Sequence, residues 1–287
     1  DTTKIRDLIA QKKFQSALAI ARSLQQKYGT YNVVTSKKLL TDVQTVVSNA
    51  QRNAEQAKLY ASQNNESLAI SYAIKALEIC DDYIEARQIL QKYPPKPVQN
   101  LRAVLDGNKV RLEWEDRVKQ DFATYTIIKK VGVAPTRFDD GAVVESNLSI
   151  KFYEDESIVS ATPYYYSVYA DRYGIKSNLC TTISPVIVYS DVSNLQQDFT
   201  LNGVKVVWEA PQNVKSIEVW KKDGPVAPLK AGDGVKVNCD NKGFNDEKCL
   251  GESAYLIICN YEVSGRQVQS RGAKIVCKPY ENTKPLE

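Results

Sequence analysis

The residues of this chain that could do chemistry are carboxylates, thiols and tyrosines, because histidine is absent. Without imidazole the ordinary general base near neutral pH is missing, and Ser/His or Cys/His nucleophile pairs are excluded. Two carboxylate pairs occur, Asp81-Asp82 and Asp139-Asp140. Each falls at a helix end or turn, where a solvated turn explains it. Asp233, Asp240 and Asp246 crowd one stretch but lack the spacing of calcium ligands. The cysteines stand at 80, 180, 239, 249, 259 and 277 and make no C-x-x-C pair, so no zinc site is expected. Cys239 and Cys249 are loop-borne and are the pair free to bridge. The other thiols read as isolated, a pattern that fits a reducing compartment. Phosphate-cradling glycine loops, dinucleotide fingerprints, nucleophile elbows and EF-hand loops are all missing. The expectation is a non-enzyme with no catalytic, cofactor-binding or metal residues and no cofactor.

Binding is the remaining chemistry, and aromatic side chains are its candidates. Tyr164, Tyr165 and Tyr166 are consecutive. If Tyr164 and Tyr166 face a core, Tyr165 faces outward, and Tyr169 shares its face by the period of two. With Trp220 these rings form a candidate binding set for peptide or sugar. The plainer reading is a surface aromatic packed under a Lys or Arg stem.

Charge narrows the partner. Thirty-eight basic and 34 acidic residues give a net +4 with both signs interspersed, which is not the footprint of a nucleic-acid binder. No apolar run reaches the roughly 18 residues that a membrane helix needs. Hydrophobic residues make up 43%, enough for packed cores. The chain begins at Asp1, as expected of a mature form or a fragment, and Leu286-Glu287 resembles a tag remnant.

Residues 4–93 contain no Pro and one Gly, Gly29, and are rich in Ala, Leu, Gln and Lys. Ile5, Leu8 and Ile9 start a helical pattern, with a turn near Lys12-Lys13. Ala17, Leu18, Ala21 and Leu24 continue it up to Gly29. Leu39, Val43, Val46, Ala50, Ala54, Ala57 and Ala61 predict one amphipathic helix of about 25 residues, broken at Asn64-Asn65. Two more helices follow, through Leu77 and from Ile84 to Tyr93, stopped by Pro94-Pro95.

The rest alternates. Val110, Leu112 and Trp114 reappear as Val204, Val206 and Trp208, the two tryptophans being 94 residues apart. Tyr164-x-Tyr166-x-Val168-x-Ala170 reappears as Tyr255-x-Ile257-x-Cys259-x-Tyr261, with leading tyrosines 91 apart. This register sets Cys259 at the place of Val168. It predicts two copies of one β-sandwich at 96–189 and 190–280. The second copy carries a long irregular insertion at 221–250, and a tail follows at 281–287. Stretch 131–149 of the first copy also reads as loop.

Two resemblances follow. Phe152-Tyr-Glu-Asp155, Thr162-Pro-Tyr164-x-Tyr166-x-Val168-x-Ala170, Gly174 and Ser177 resemble a fibronectin type III domain, and the second copy is similar. The resemblance implies a seven-stranded sandwich with a tyrosine corner at Tyr164. Ala57, Tyr60, Ala69, Ala76 and Asp81 resemble a tetratricopeptide repeat, with Lys75–Ala86 its best segment and Phe14–Ala21 a partial second copy. That resemblance implies an antiparallel helical bundle over 1–93, with either a peptide-binding groove or plain helix packing behind its alanines.

The reading is a non-enzymatic interaction or scaffold module of bacterial style, part of a larger protein, with an unknown protein or peptide partner, no nucleic acid and no membrane span. An accessory carbohydrate- or surface-binding module of a secreted protein is the alternative. An enzyme whose catalytic domain lies outside this chain is the third. Scattered thiols favour the cytoplasm over secretion.

Overall fold

A computed structural model describes residues 2–28, 33–106, 109–118, 120, 122–200, 203–249 and 251–278. Gly29, the Gly107-Asn108 turn and the 281–287 tail lie outside these residues. The chain forms two compact units. One contains residues 1–96 with 118–124 and 170–178; the other contains 97–117, 125–169 and 179–287.

Among its described residues the first unit holds five helices: α1 Thr2–Ala10, α2 Phe14–Tyr28, α3 Val33–Ser62, α4 Glu66–Ile79 and α5 Ile84–Lys92. The break after α3 comes at Asn64, whose φ of +57° an asparagine tolerates better than most residues. Asn65 then caps α4, its Oδ1 accepting from Leu68 N at 3.2 Å. Ala50, Ala54 and Ala57 of α3 and Ala69, Ala73 and Ala76 of α4 are all buried, spaced by four and three on both helices. Small side chains let the two axes approach closely, so the alanines are consumed by helix packing. None of them is left to floor a peptide groove.

Asp82 is not a solvated turn residue. Its carboxylate accepts from Gln15 N at 3.1 Å, Ser16 N at 2.8 Å and Ser16 Oγ at 2.5 Å, so it caps α2 from 66 residues away. The favour is returned, since Gln15 Oε1 accepts from Ile84 N at 3.1 Å at the start of α5. Cys80 is buried beneath this clasp, its Sγ donating to Asp82 at 3.1 Å. Burial, reinforced by Asp82, pushes the Cys80 thiol up to about 12, which makes it an inert core residue. Asp81 instead accepts from Arg87, whose guanidinium also donates to Tyr173 O at 2.9 Å.

The strands, most of which belong to the second unit, are built on duplication. The first module runs β1 Val98–Asp106, β2 Lys109–Asp116, β3 Thr124–Val131, β4 Ala142–Leu148, β5 Phe152–Asp155, β6 Tyr164–Arg172, β7 Ile175–Lys176 and β8 Cys180–Thr181. The second runs β9 Ser193–Thr200, β10 Gly203–Glu209, β11 Ser216–Asp223, β12 Val235–Val237, β13 Gly243–Asp246, β14 Ser253–Val263, β15 Arg266–Gln269 and β16 Ala273–Cys277. Each module packs a three-stranded sheet, β1-β2-β5 or β13-β10-β9, against a five-stranded one. The larger sheets have the orders β4-β3-β6-β7 and β12-β11-β14-β15, with β8 and β16 pairing β6 and β14. The two modules are therefore tandem fibronectin type III-like sandwiches.

Side-chain networks fix the register between the copies and correct the expected one. Tyr166 Oη donates to Asp155 Oδ2 at 2.7 Å, and Tyr255 Oη donates to Asp246 Oδ2 at 2.8 Å. Ala170 N donates to Ser177 Oγ as Cys259 N does to Ser270 Oγ. Tyr255 thus matches Tyr166, and Cys259 matches Ala170 rather than Val168. Ser253 stands where the first copy has Tyr164. Among the described residues the tyrosine corner is found only in the first module, where Tyr164 Oη accepts from Val159 N at 3.1 Å.

The 221–250 stretch is not an insertion. Ala134-Pro135 followed by Asp140-Gly141 recurs at the same spacing as Ala227-Pro228 and Asp233-Gly234. Asp140 accepts from Thr136 N and pairs with Lys130; Asp233 accepts from Leu229 N and pairs with Lys222. Both glycines have positive φ, +149° and +132°, and a Cβ on Gly234 would stand 2.3 Å from Lys221 O. The loop closes back on strand β11 only with glycine there. Stretch 131–149 likewise ends in strand β4 rather than running on as loop.

The matched tryptophans differ in one bond. Trp208 Nε1 donates to Asn241 O at 3.1 Å, whereas the buried Trp114 Nε1 has no hydrogen-bond partner among the described residues. An unsatisfied buried donor already carries its desolvation cost, so removing it costs less. Trp208→Phe is expected to destabilise its module by about 1 kcal/mol more than Trp114→Phe does its own. Urea denaturation of the two variants measures the difference; equal costs would contradict the hydrogen-bond account.

Candidate protein-binding cleft

The first turn of α4, Pro94, Lys96, Val118, Gln120 and Phe122 enclose a cleft of about 450 Å³ within the first unit. The size suits a few side chains of a ligand. Leu68, Val118 and Phe122 form its lips and are 38%, 53% and 59% exposed. Ile70 and Pro94 continue the apolar lining. Three large apolar side chains left in water around one concavity are what a protein-binding surface presents.

The polar groups of the cleft hold its walls together. Lys96 N donates to Gln120 Oε1 at 2.6 Å and Gln120 Nε2 donates back to Lys96 O at 2.9 Å. This two-bond clasp ties Gln120 to Lys96. Lys96 Nζ lies 3.6 Å from Glu66, a half-exposed pair that contributes little to stability but sets charge at the rim. Arg172 is buried at the floor and donates to Tyr93 O at 3.4 Å. The lining carboxylate, Glu66, is thus already paired with a cation, and the geometry offers contact area rather than a reacting group.

The aromatic set expected from sequence does not assemble into a platform. Tyr165 is half-buried. Tyr169 is buried, 6% exposed, with Phe138 edge-on to its ring at 4.9 Å, so the exposure expected for it is corrected. Phe138 comes from the Pro135–Gly141 loop that folds back over this face. Trp220 is partly exposed but lies under Lys236 at 5.7 Å, with its Nε1 donating to Glu218 at 3.3 Å. Tyr169 is thereby closed off, while Tyr165 and Trp220 keep part of their surface.

The carboxylates raised as calcium ligands are dispersed. Asp233 pairs with Lys222, Asp240 accepts from Lys242 N and Gly243 N, and Asp246 holds Lys221 at 2.8 Å. Cys239 and Cys249 are also far apart. Cys239 Sγ donates to Ile217 O, opposite Cys259, while Cys249 Sγ donates to Gly251 O beside Ser253. Six strand residues separate those two levels of β14, roughly 20 Å, well beyond disulfide reach.

Sequence reasoning missed the cleft residues. Val118 and Phe122 are apolar side chains in a short connector between β2 and β3, a signal that was present in the residue types. Their convergence with Leu68, some 50 residues earlier, was not.

Comparison with known proteins gives no family model and no curated relative that matches. Among solved structures, a two-domain fibronectin type III segment of chicken tenascin matches at 19% identity and a TM-score of 0.37, covering 63% of this chain and 99% of that one. The chicken CNTN1 FN1–FN3 domains match at 14% and 0.26, covering 65% and 68%. The chicken interferon gamma receptor alpha chain matches at 10% and 0.37, covering 62% and 96%. None of these three TM-scores reaches 0.5, so the sandwich assignment rests on the strand order and register described above.

Proposed function

We propose that this chain is a non-enzymatic protein-binding module. The helical unit takes an apolar side chain of a protein partner into the cleft beside α4, and the two sandwiches space and present it. The observation that carries this reading is the exposure of Leu68, Val118 and Phe122 around one concavity. The seat is the cleft and not an alanine-floored tetratricopeptide groove, because Ala57, Ala69, Ala73 and Ala76 are closed between helices. A non-catalytic role for the sandwiches draws support from their buried Lys, Asp and Tyr groups. These occur twice in the same geometry and bond to one another, as a structural network does.

The test compares partners captured by the full chain, Leu68→Asp and Trp220→Ala from one lysate. Losing one buried apolar contact of about 1.5–3 kcal/mol weakens binding roughly 10- to 100-fold. Leu68→Asp should therefore lose a partner that Trp220→Ala retains. Equal capture by all three, with the helical circular dichroism of Leu68→Asp intact, would sink the proposal.

A further inference from the structure

In the first module the connector from β5 to β6 is pinned by the Tyr164 corner, whose hydroxyl accepts from Val159 N. Tyr164 also forms an isolated β-bridge with Val186, in the segment after β8. The second module has Ser253 in place of that tyrosine, and Ser253 pairs with Cys277 as Tyr164 does with Val186. The connector now carries Cys249. Cys249 Sγ and Ser253 Oγ both donate to Gly251 O, at 3.3 and 3.4 Å. Thus Cys249 and Cys277 each neighbour Ser253 and belong to one buried cluster. Two thiols have replaced the group that locks this corner in the sister module.

We infer that Cys249 and Cys277 are a disulfide-forming pair that locks the β13–β14 connector onto β16, the covalent counterpart of the first module's tyrosine corner. The oxidant is a small disulfide such as oxidised glutathione. The Cys249 thiolate attacks it, forming a mixed disulfide and releasing one glutathione thiolate. Cys277 then loses its proton and attacks the Cys249 sulfur, releasing the second glutathione. Two thiols are oxidised, one disulfide is reduced and two protons leave. Cys249 leads because it is the less deeply buried of the two. Cys277 is fully buried, and burial together with the nearby Cys249 holds its thiol up at about 11, which suits the resolving role.

The full chain, equilibrated with oxidised glutathione, is mapped by mass spectrometry of non-reduced peptides and by thiol titration. The expected result is a Cys249–Cys277 cross-linked peptide and a fall from six titratable thiols to four under denaturing conditions. Closing a 28-residue loop also raises the melting temperature of the second module by about 10 °C, reversed by dithiothreitol and absent in Cys249→Ser. A Cys239→Ser chain should behave as wild type. Six free thiols after oxidation, a Cys239–Cys249 link, or a glutathione adduct that stays on Cys249 would each overturn the inference.

Discussion

Asp155→Ala is expected to cost the first sandwich about 3–5 kcal/mol, the range for leaving one partner of a buried ion pair behind. The Asp155 carboxylate is fully buried and accepts from Lys129 Nζ at 2.8 Å, Tyr166 Oη at 2.7 Å and Ser157 N at 2.8 Å. Removing it strands an ammonium that is itself mostly buried and a phenol whose ring is in the core. Burial pushes the carboxyl up, but the bonds from Lys129, Ser157 and Tyr166 outweigh it and hold Asp155 below the usual range. Tyr166 moves the other way, raised by burial and by its bond to Asp155. Guanidinium denaturation of the full chain reads the loss in the first module. The triple change Asp155→Leu, Lys129→Met and Tyr166→Phe, which removes both charges and the phenol and leaves Ser157 alone without its acceptor, should recover most of the stability. A single change costing under about 1 kcal/mol would mean that solvent reaches the carboxylate.

The same network explains which parts of the fold were legible. Strand identity came through because apolar and polar residues alternate cleanly in Val110–Trp114 and Val204–Trp208. Register did not, because a period of two makes every inward position look alike. A slip of two residues leaves the hydrophobic pattern unchanged, so Tyr255 fits opposite Tyr164 as well as Tyr166. Bonds to Asp155 and Asp246 decide between them. The Ala-Pro and Asp-Gly repeat at 134–141 and 227–234 was visible in spacing but hidden under glycine and proline density, which reads as irregular loop. Asp82 looked solvated because its partners lie 66 residues upstream. The cleft was invisible for the same reason, since its walls come from segments that only the tertiary fold brings together.

Asp82→Ala is expected to cost the helical unit about 2 kcal/mol, since it uncaps two backbone amides and a hydroxyl at the start of α2. Asp82→Asn keeps an acceptor and should cost about half as much. Thermal unfolding followed at 222 nm checks both, and an unchanged Asp82→Ala midpoint would refute the capping role. The clasp also sets an acid limit. Burial raises Asp82, but hydrogen bonds from Ser16, Cys80 and Gln15 outweigh it and hold the carboxyl below its ordinary value. Asp246 is likewise raised by burial and lowered further by Lys221, Tyr255 and Lys248 N. A carboxylate whose folded value is depressed stabilises the fold above its unfolded value of about 4. That contribution disappears as pH falls through the folded value. Stability should therefore be flat from about pH 7 to 5 and fall steadily from about pH 4 to 2. Asp155→Asn should flatten that fall for the first module.

The binding claim is tested most directly by a benzophenone amino acid placed at Leu68 in one chain and at Trp220 in another. Each full chain is irradiated in lysate from its source cells. The account predicts one discrete covalent protein adduct from position 68, competed away by excess unlabelled chain but not by excess Leu68→Asp, and none of that mass from position 220. An adduct from position 220 with none from position 68 would move the binding face to the second sandwich and contradict the cleft.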